Sequence, residues 1–220
     1  SNANYLLRIV NDEGKLAYIY YPNEDEYDTG YHLVRHAGYA LRLLQAHNKF
    51  GDPKYYEASR KALGYLLRRT VVPKEALDIA IVSEDNLSEL GVNALMAMIY
   101  SVMPEEDLTA QDREYREKFG KAILYFRMPK AGYFFTTFQQ ALEKNEPKKQ
   151  ALYFPGIAML APVRLYERTG EKKWWDAAVQ ISQGQEDLWR RDGHKAVGSY
   201  CWVGQAWARM ARLAKEPKQR

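Results

Sequence analysis

Three side chains able to bind an anion or move a proton fall together in one apolar-periodic stretch: His32, Arg35 and His36. Their spacing of i, i+3 and i+4 places all three on one face of a helix. Near a helix start, the positive end of the dipole favours a bound anion and keeps an imidazole neutral. Arg35 is then suited to grip a carboxylate or phosphate in a fork, while His36 or His32 moves a proton. The structural alternative pairs Arg35 with Asp28 or Glu84 and spends the histidines on backbone carbonyls. Two histidines four apart also suit a divalent ion with a carboxylate as third ligand, but no HExxH or second His/Asp motif accompanies them. No metal or cofactor is expected.

Glu84, Asp85 and Glu89 precede the next apolar-periodic stretch, and glycoside cleavage uses two carboxylates that straddle the bond. The commoner reading makes Ser83 or Asp85 an N-cap with acidic residues in the first turn. Glu89 stands apart because it occupies the place of His36 in a repeat described below, two residues before Gly91. His36 and Glu89 are therefore the candidate proton-transfer residues. Aromatics also gather where helices should begin: Tyr31, Tyr153, Phe154, Tyr200 and Trp202. Flat aromatic faces bury sugar C–H surfaces, so Tyr31, His32, Arg35, Tyr153, Tyr200 and Trp202 form the candidate ligand-binding set. Cys201 near His194 suggests a nucleophile pair, against which stands the more frequent role of a cysteine as a small buried hydrophobe.

Composition narrows the class. The chain has 220 residues, enough for one sizeable core, with 46% hydrophobic and 27% charged residues, which excludes disordered and collagen-like chains. The net charge of +4 comes from basic residues scattered among acidic ones, so no nucleic-acid stripe is expected. A single cysteine excludes an internal disulfide. No apolar run approaches the roughly 20 residues of a membrane span. Ser1, Asn2 and Ala3 look like the remnant of a removed tag, so a single domain over 4–216, belonging to a longer protein, is the expectation. The compartment stays open, an exported one being favoured over the cytoplasm.

Internal repetition decides the architecture. Gly51-Asp52-Pro53-Lys54-Tyr55-Tyr56-Glu57-Ala58 recurs as Gly170-Glu171-Lys172-Lys173-Trp174-Trp175-Asp176-Ala177, each a glycine stop, a short turn and a helix opening on two aromatics. A weaker copy matches Lys61-Ala62-Leu63-Gly64-Tyr65 with Lys121-Ala122-Ile123-Leu124-Tyr125. A small-residue step recurs around Gly38, Gly91, Gly156 and Gly204. Glycine inside a helix costs about 1 kcal/mol against alanine, so matched glycines imply a shared steric demand, namely close approach of neighbouring inner helices. Periodicity predicts helices over 30–47, 53–69, 86–102, 110–127, 155–169, 172–189 and 199–214. That is three and a half hairpins. Two extended segments, 15–21 and 132–138, stand outside the pattern, and 143–150 reads as a surface loop.

These motifs carry a resemblance. Tyr31-His32-Leu33-Val34-Arg35-His36-Ala37-Gly38 resembles the "YN-x-x-RHAG" start of an inner helix in bacterial α/α-toroid proteins of the six-hairpin glycosidase-like superfamily. Ala151 to Leu160 with Arg164 to Gly170 is similar to that group's "YYPGEA-x-x-AL…LY-x-x-TG" hairpin, with Ile157 where the family pattern has glutamate. The fold class expected is thus all-α: a shortened or incomplete α/α toroid of about seven helices in repeated hairpins, with two short β segments. The resemblance implies inner-helix N-termini facing a central cleft, and a carbohydrate or other polyhydroxylated, possibly anionic ligand. Two functions follow as expectations. One is a glycan-processing domain acting as hydrolase, lyase or epimerase. The other is a non-catalytic helical-repeat module of a larger protein.

Overall fold

Gly51 and Gly170 set the repeat in three dimensions. Both take the left-handed conformation, with φ of 72° and 69°, and donate their N–H to the carbonyls of His47 and Tyr166. An L-side chain resists that backbone, so glycine ends each helix at a fixed point and turns the chain into its partner. The computed structural model describes residues 2–28, 30–128, 134–142, 144–146, 153–192 and 200–215. Within them the first-of-pair helices are α2 (Leu33–Phe50), α4 (Leu90–Val102), α6 (Phe154–Thr169) and α8 (Tyr200–Lys215). The second-of-pair helices are α3 (Pro53–Leu67), α5 (Ala110–Tyr125) and α7 (Lys172–Asp192). All seven expected helices are present. A short α1 (Asn2–Arg8) precedes them and packs on α2 and α3, with Tyr55 Oη of α3 donating to Asn4 Oδ1 at 2.8 Å.

Packing sorts the helices into two layers. Helices α2, α4, α6 and α8 neighbour one another in that order, and each of the first three also packs against its own partner α3, α5 or α7. The inner layer is therefore made of the first-of-pair helices, as the repeat requires. Helix α4 lies at its heart with every residue from Leu90 to Val102 buried. Tyr55 and Trp174 are buried at outer-helix starts. Ser59 Oγ of α3 donates to the Ala40 carbonyl of α2, and Arg60 of α3 pairs with the nearly buried Asp112 of α5 at 2.9 Å. Asp112 also completes a capping box with Thr109. Burial works to raise its carboxyl, but hydrogen bonds from Arg60 and Thr109 together hold it below the ordinary value.

The β content exceeds the two expected segments. Among the described residues, β1 (Tyr20–Tyr21) pairs β2 (Glu26–Tyr27), β3 (Thr70–Val71) pairs β4 (Ile81–Val82), and β5 (Leu87–Glu89), β6 (Thr137–Gln139) and β7 (Lys144–Glu146) form an antiparallel sheet. The segment expected to open a helix at 86 is therefore strand up to Glu89. Asp85 and Asn86 take φ of 50° and 62°, the backbone of a tight hairpin turn that these two residue types tolerate. Helix α4 starts only at Leu90, whose N–H is held by the Thr136 carbonyl. Of the segment 132–138 and the loop 143–150, residues 132–133, 143 and 147–150 lie outside the described residues.

The shared steric demand on the glycines is corrected as well. A Cβ on Gly91 would stand 2.6 Å from the Phe154 ring of the neighbouring inner helix, whereas Gly38 and Gly204 face nothing within 4 Å. One step is packed shut, and two are open.

Candidate functional site

Gly38 opens onto a cleft of about 260 Å³ that runs along the inner layer. Helix α2 supplies Arg35, Gly38, Tyr39 and Arg42 to one wall, with Val34 and Leu41 beneath; Leu95 of α4 forms the back; Tyr153 and Ile157 of α6 and Trp202 of α8 close the far side. Residues 35, 38, 39 and 42 share one face of α2 because they are spaced three, four and seven apart. Tyr153 is 47% exposed, with its ring edge-on to Phe154. Arg35 is exposed, and its guanidinium lies 5.2 Å from the centre of the Tyr18 ring.

Neither expected carboxylate partner holds Arg35. Glu84 pairs with Arg69 at 3.3 Å, and Asp28 Oδ1 accepts the Gly30 N–H. Arg35, Tyr153 and Trp202 thus line one cleft. Tyr39 and Arg42 join them unanticipated, although their spacing from Arg35 marks the same helix face.

His36 points the other way, into the packing between α2 and α3. It is 1% exposed; Nε2 lies 3.0 Å from the Ala62 carbonyl, and Nδ1 lies 2.8 Å from Tyr31 Oη. A carbonyl can only accept, so Nε2 carries the proton and Nδ1 accepts from the tyrosine. The ring stacks on Tyr65 at 5.1 Å. Burial pushes the imidazole down to about 4 even though the Ala62 carbonyl works to raise it. His36 is a neutral brace between α2 and α3 and, unlike Arg35, does not line the cleft. Tyr31 shares this brace, and burial pushes its hydroxyl well above the ordinary value. Tyr31 is accordingly a supporting residue rather than part of the cleft lining.

The remaining candidates separate. His32 caps the start of α2 without a side-chain hydrogen bond. Its ring stacks on Tyr18, and its Nδ1 is buried without a partner among the described residues. Glu89 holds the equivalent position at α4; burial raises its carboxyl, and His32 partly draws it back. These two form a polar pair at adjacent inner-helix starts, outside the lining of the cleft. Tyr200 turns edge-on to Trp189 at 4.6 Å, packing on α7 instead of entering the cleft. Cys201 is exposed rather than buried, and His194 lies outside the described residues. A larger groove of about 410 Å³ lies between α5 and α7 on the outer layer, but Lys173 there is engaged with Glu117 and Arg127 with Gln180.

No protein-family model matches the sequence, and no curated protein matches it. Solved structures do match. Cellobiose 2-epimerase from Spirochaeta thermophila DSM 6192 aligns with a TM-score of 0.66 at 14% identity, covering 86% of this chain and 50% of that one. D-mannose isomerase aligns with 0.67 at 15%, covering 83% and 48%. An inactive variant of the alpha-1,6-mannanase GH76A of Salegentibacter sp. HEL1_6, in complex with alpha-1,6-mannotetrose, aligns with 0.69 at 12%, covering 98% and 81%. The chain spans about half the length of the first two. Its inner and outer layers, its repeated hairpins and these likenesses agree: the fold is a partial α/α toroid, similar to the fold of these solved structures.

Proposed function

We propose that this chain is a glycan-processing or glycan-binding domain whose ligand lies in the cleft between α2, α6 and α8. The observation that carries the reading is the convergence of Tyr39, Tyr153 and Trp202 on one open space beside an exposed Arg35 that meets no carboxylate among the described residues. Aromatic faces bury the apolar C–H surface of a sugar, while a guanidinium answers its oxygens. The likeness to proteins described as an epimerase, an isomerase and a mannanase supports a carbohydrate ligand. In the catalytic form, the ligand reaches beyond the cleft to the starts of α2 and α4, where Glu89, near His32, is the residue proposed to move a proton. In the non-catalytic form, the cleft only binds. That second reading draws support from the described lining, which carries two arginines and no carboxylate, whereas cleavage by paired acids needs two.

A glycan-array screen followed by product analysis tests the proposal. Binding that is lost on Tyr153→Ala, without unfolding, supports it. New reducing ends or an inverted sugar centre, abolished by Glu89→Gln, mark the catalytic form. Intact recovered ligand marks the binding form.

A further inference from the structure

Helix α2 presents two arginines to the cleft, Arg35 and Arg42. Seven residues separate them, two turns on one face, so their Cα atoms stand about 10 Å apart along the helix axis. That span exceeds a single pyranose ring. Both side chains are exposed, and neither meets a carboxylate among the described residues. Arg35 rests over the Tyr18 ring, and Arg42 Nη1 donates to Gln45 Oε1 at 2.9 Å.

The contrast with other arginines is direct. Arg60 is paired with Asp112, Arg69 with Glu84, Arg116 with Glu105 and Arg209 with Glu167. Among the described residues no acidic side chain lines the cleft, so none of them neutralises the two arginines from the opposite wall. Between them on the helix, a Cβ at Gly38 would meet nothing within 4 Å. The backbone there is open to a molecule lying along α2 from one arginine to the other. Tyr39, Tyr153 and Trp202 border the same path.

From this arrangement we infer that the ligand is an acidic oligosaccharide, carrying carboxylate or sulfate groups on more than one sugar, with one acidic group held by Arg35 and another by Arg42. This rests on the glycan reading of the cleft and adds its charge and its length. A guanidinium receives a planar carboxylate or a sulfate in a fork, and a neutral sugar makes no equal use of two unpaired cations. Sugar rings between the acidic groups pass over Gly38 and lean on the aromatic faces.

Calorimetric titration of the whole chain with hexagalacturonate, a sulfated oligosaccharide of equal length and mannohexaose tests this. At least one acidic ligand is expected to bind about tenfold or more tightly than the neutral one, and to weaken as salt is raised. The comparison of the two acidic probes tells carboxylate from sulfate. Arg35→Gln and Arg42→Gln should each weaken the acidic ligand about tenfold and weaken mannohexaose far less, with melting temperatures preserved because both side chains are exposed. Mannohexaose binding as tightly as both acidic probes would overturn the inference while leaving the glycan reading in place. Acidic binding indifferent to Arg42→Gln would overturn the two-point grip. Failure of all three ligands to bind would overturn both this inference and the reading on which it rests.

Discussion

Helices α2 and α4 open on the same small-residue step and end in opposite circumstances. Around Gly91 everything is engaged: Phe154 of the neighbouring helix covers the glycine, and Asn93, fully buried, accepts the Val82 N–H and donates to Ser88 Oγ and the Glu89 carbonyl. Around Gly38 the helix is open, and Arg35 and Arg42 on either side meet no carboxylate among the described residues. Residue type is repeated, but the neighbour is not. Where the next helix closes over the step, the position serves packing. Where it does not, the same step becomes cleft wall.

The contrast breaks first at Asn93. Asn93→Leu removes three hydrogen bonds in a site closed to water, leaving the Val82 N–H unpaired, and should cost about 3 kcal/mol or more in denaturant unfolding. A loss under 1 kcal/mol would mean that the α4 mouth is not locked as described.

Next in size is the brace behind α2. His36 is held to about 4, against an ordinary 6.5. Between those values the unfolded chain takes up a proton that the native one refuses, so stability is full above pH 6.5 and falls as the pH drops towards 4. The accumulated loss should approach about 3 kcal/mol, and His36→Gln should flatten this part of the pH profile. A wild-type profile with no slope there would place His36 in contact with water and return it to the cleft.

Gly91→Ala should then lower stability by about 2 kcal/mol, since the added methyl meets the Phe154 ring. Gly38→Ala, the smallest effect, should raise it by up to about 1 kcal/mol through helix propensity alone. Opposite signs at the two glycines sharpen the comparison; equal signs would dissolve it.

The helices were legible because their signals are local: apolar periodicity, a capping box at Thr109, and Gly51 and Gly170 as stops in the left-handed region. The strand at Leu87–Glu89 was not, because its partners lie some fifty residues further along the chain, at Thr137–Gln139. The Asp85-Asn86 turn was the available hint. The candidate site divides similarly. Arg35, Tyr153 and Trp202 reach the cleft because the inner-helix register follows from the repeat. His36 does not, because its fate is decided by the Ala62 carbonyl and the Tyr65 ring of α3, contacts that no spacing within α2 reveals. Tyr200 was drawn away by Trp189 of α7 for the same reason.

The central claim is that the ligand lies in the cleft between α2, α6 and α8, and Tyr153 tests it most directly because its half-exposed ring borders the cleft and can be removed with little loss of packing. The decisive measurement is a calorimetric titration of wild type and Tyr153→Ala with the tightest-binding oligosaccharide from the array, beside thermal melts of both. The account predicts that affinity falls about tenfold, corresponding to roughly 1.4 kcal/mol, while the melting temperature holds. Unchanged affinity in a folded Tyr153→Ala chain would place the ligand elsewhere and contradict the account.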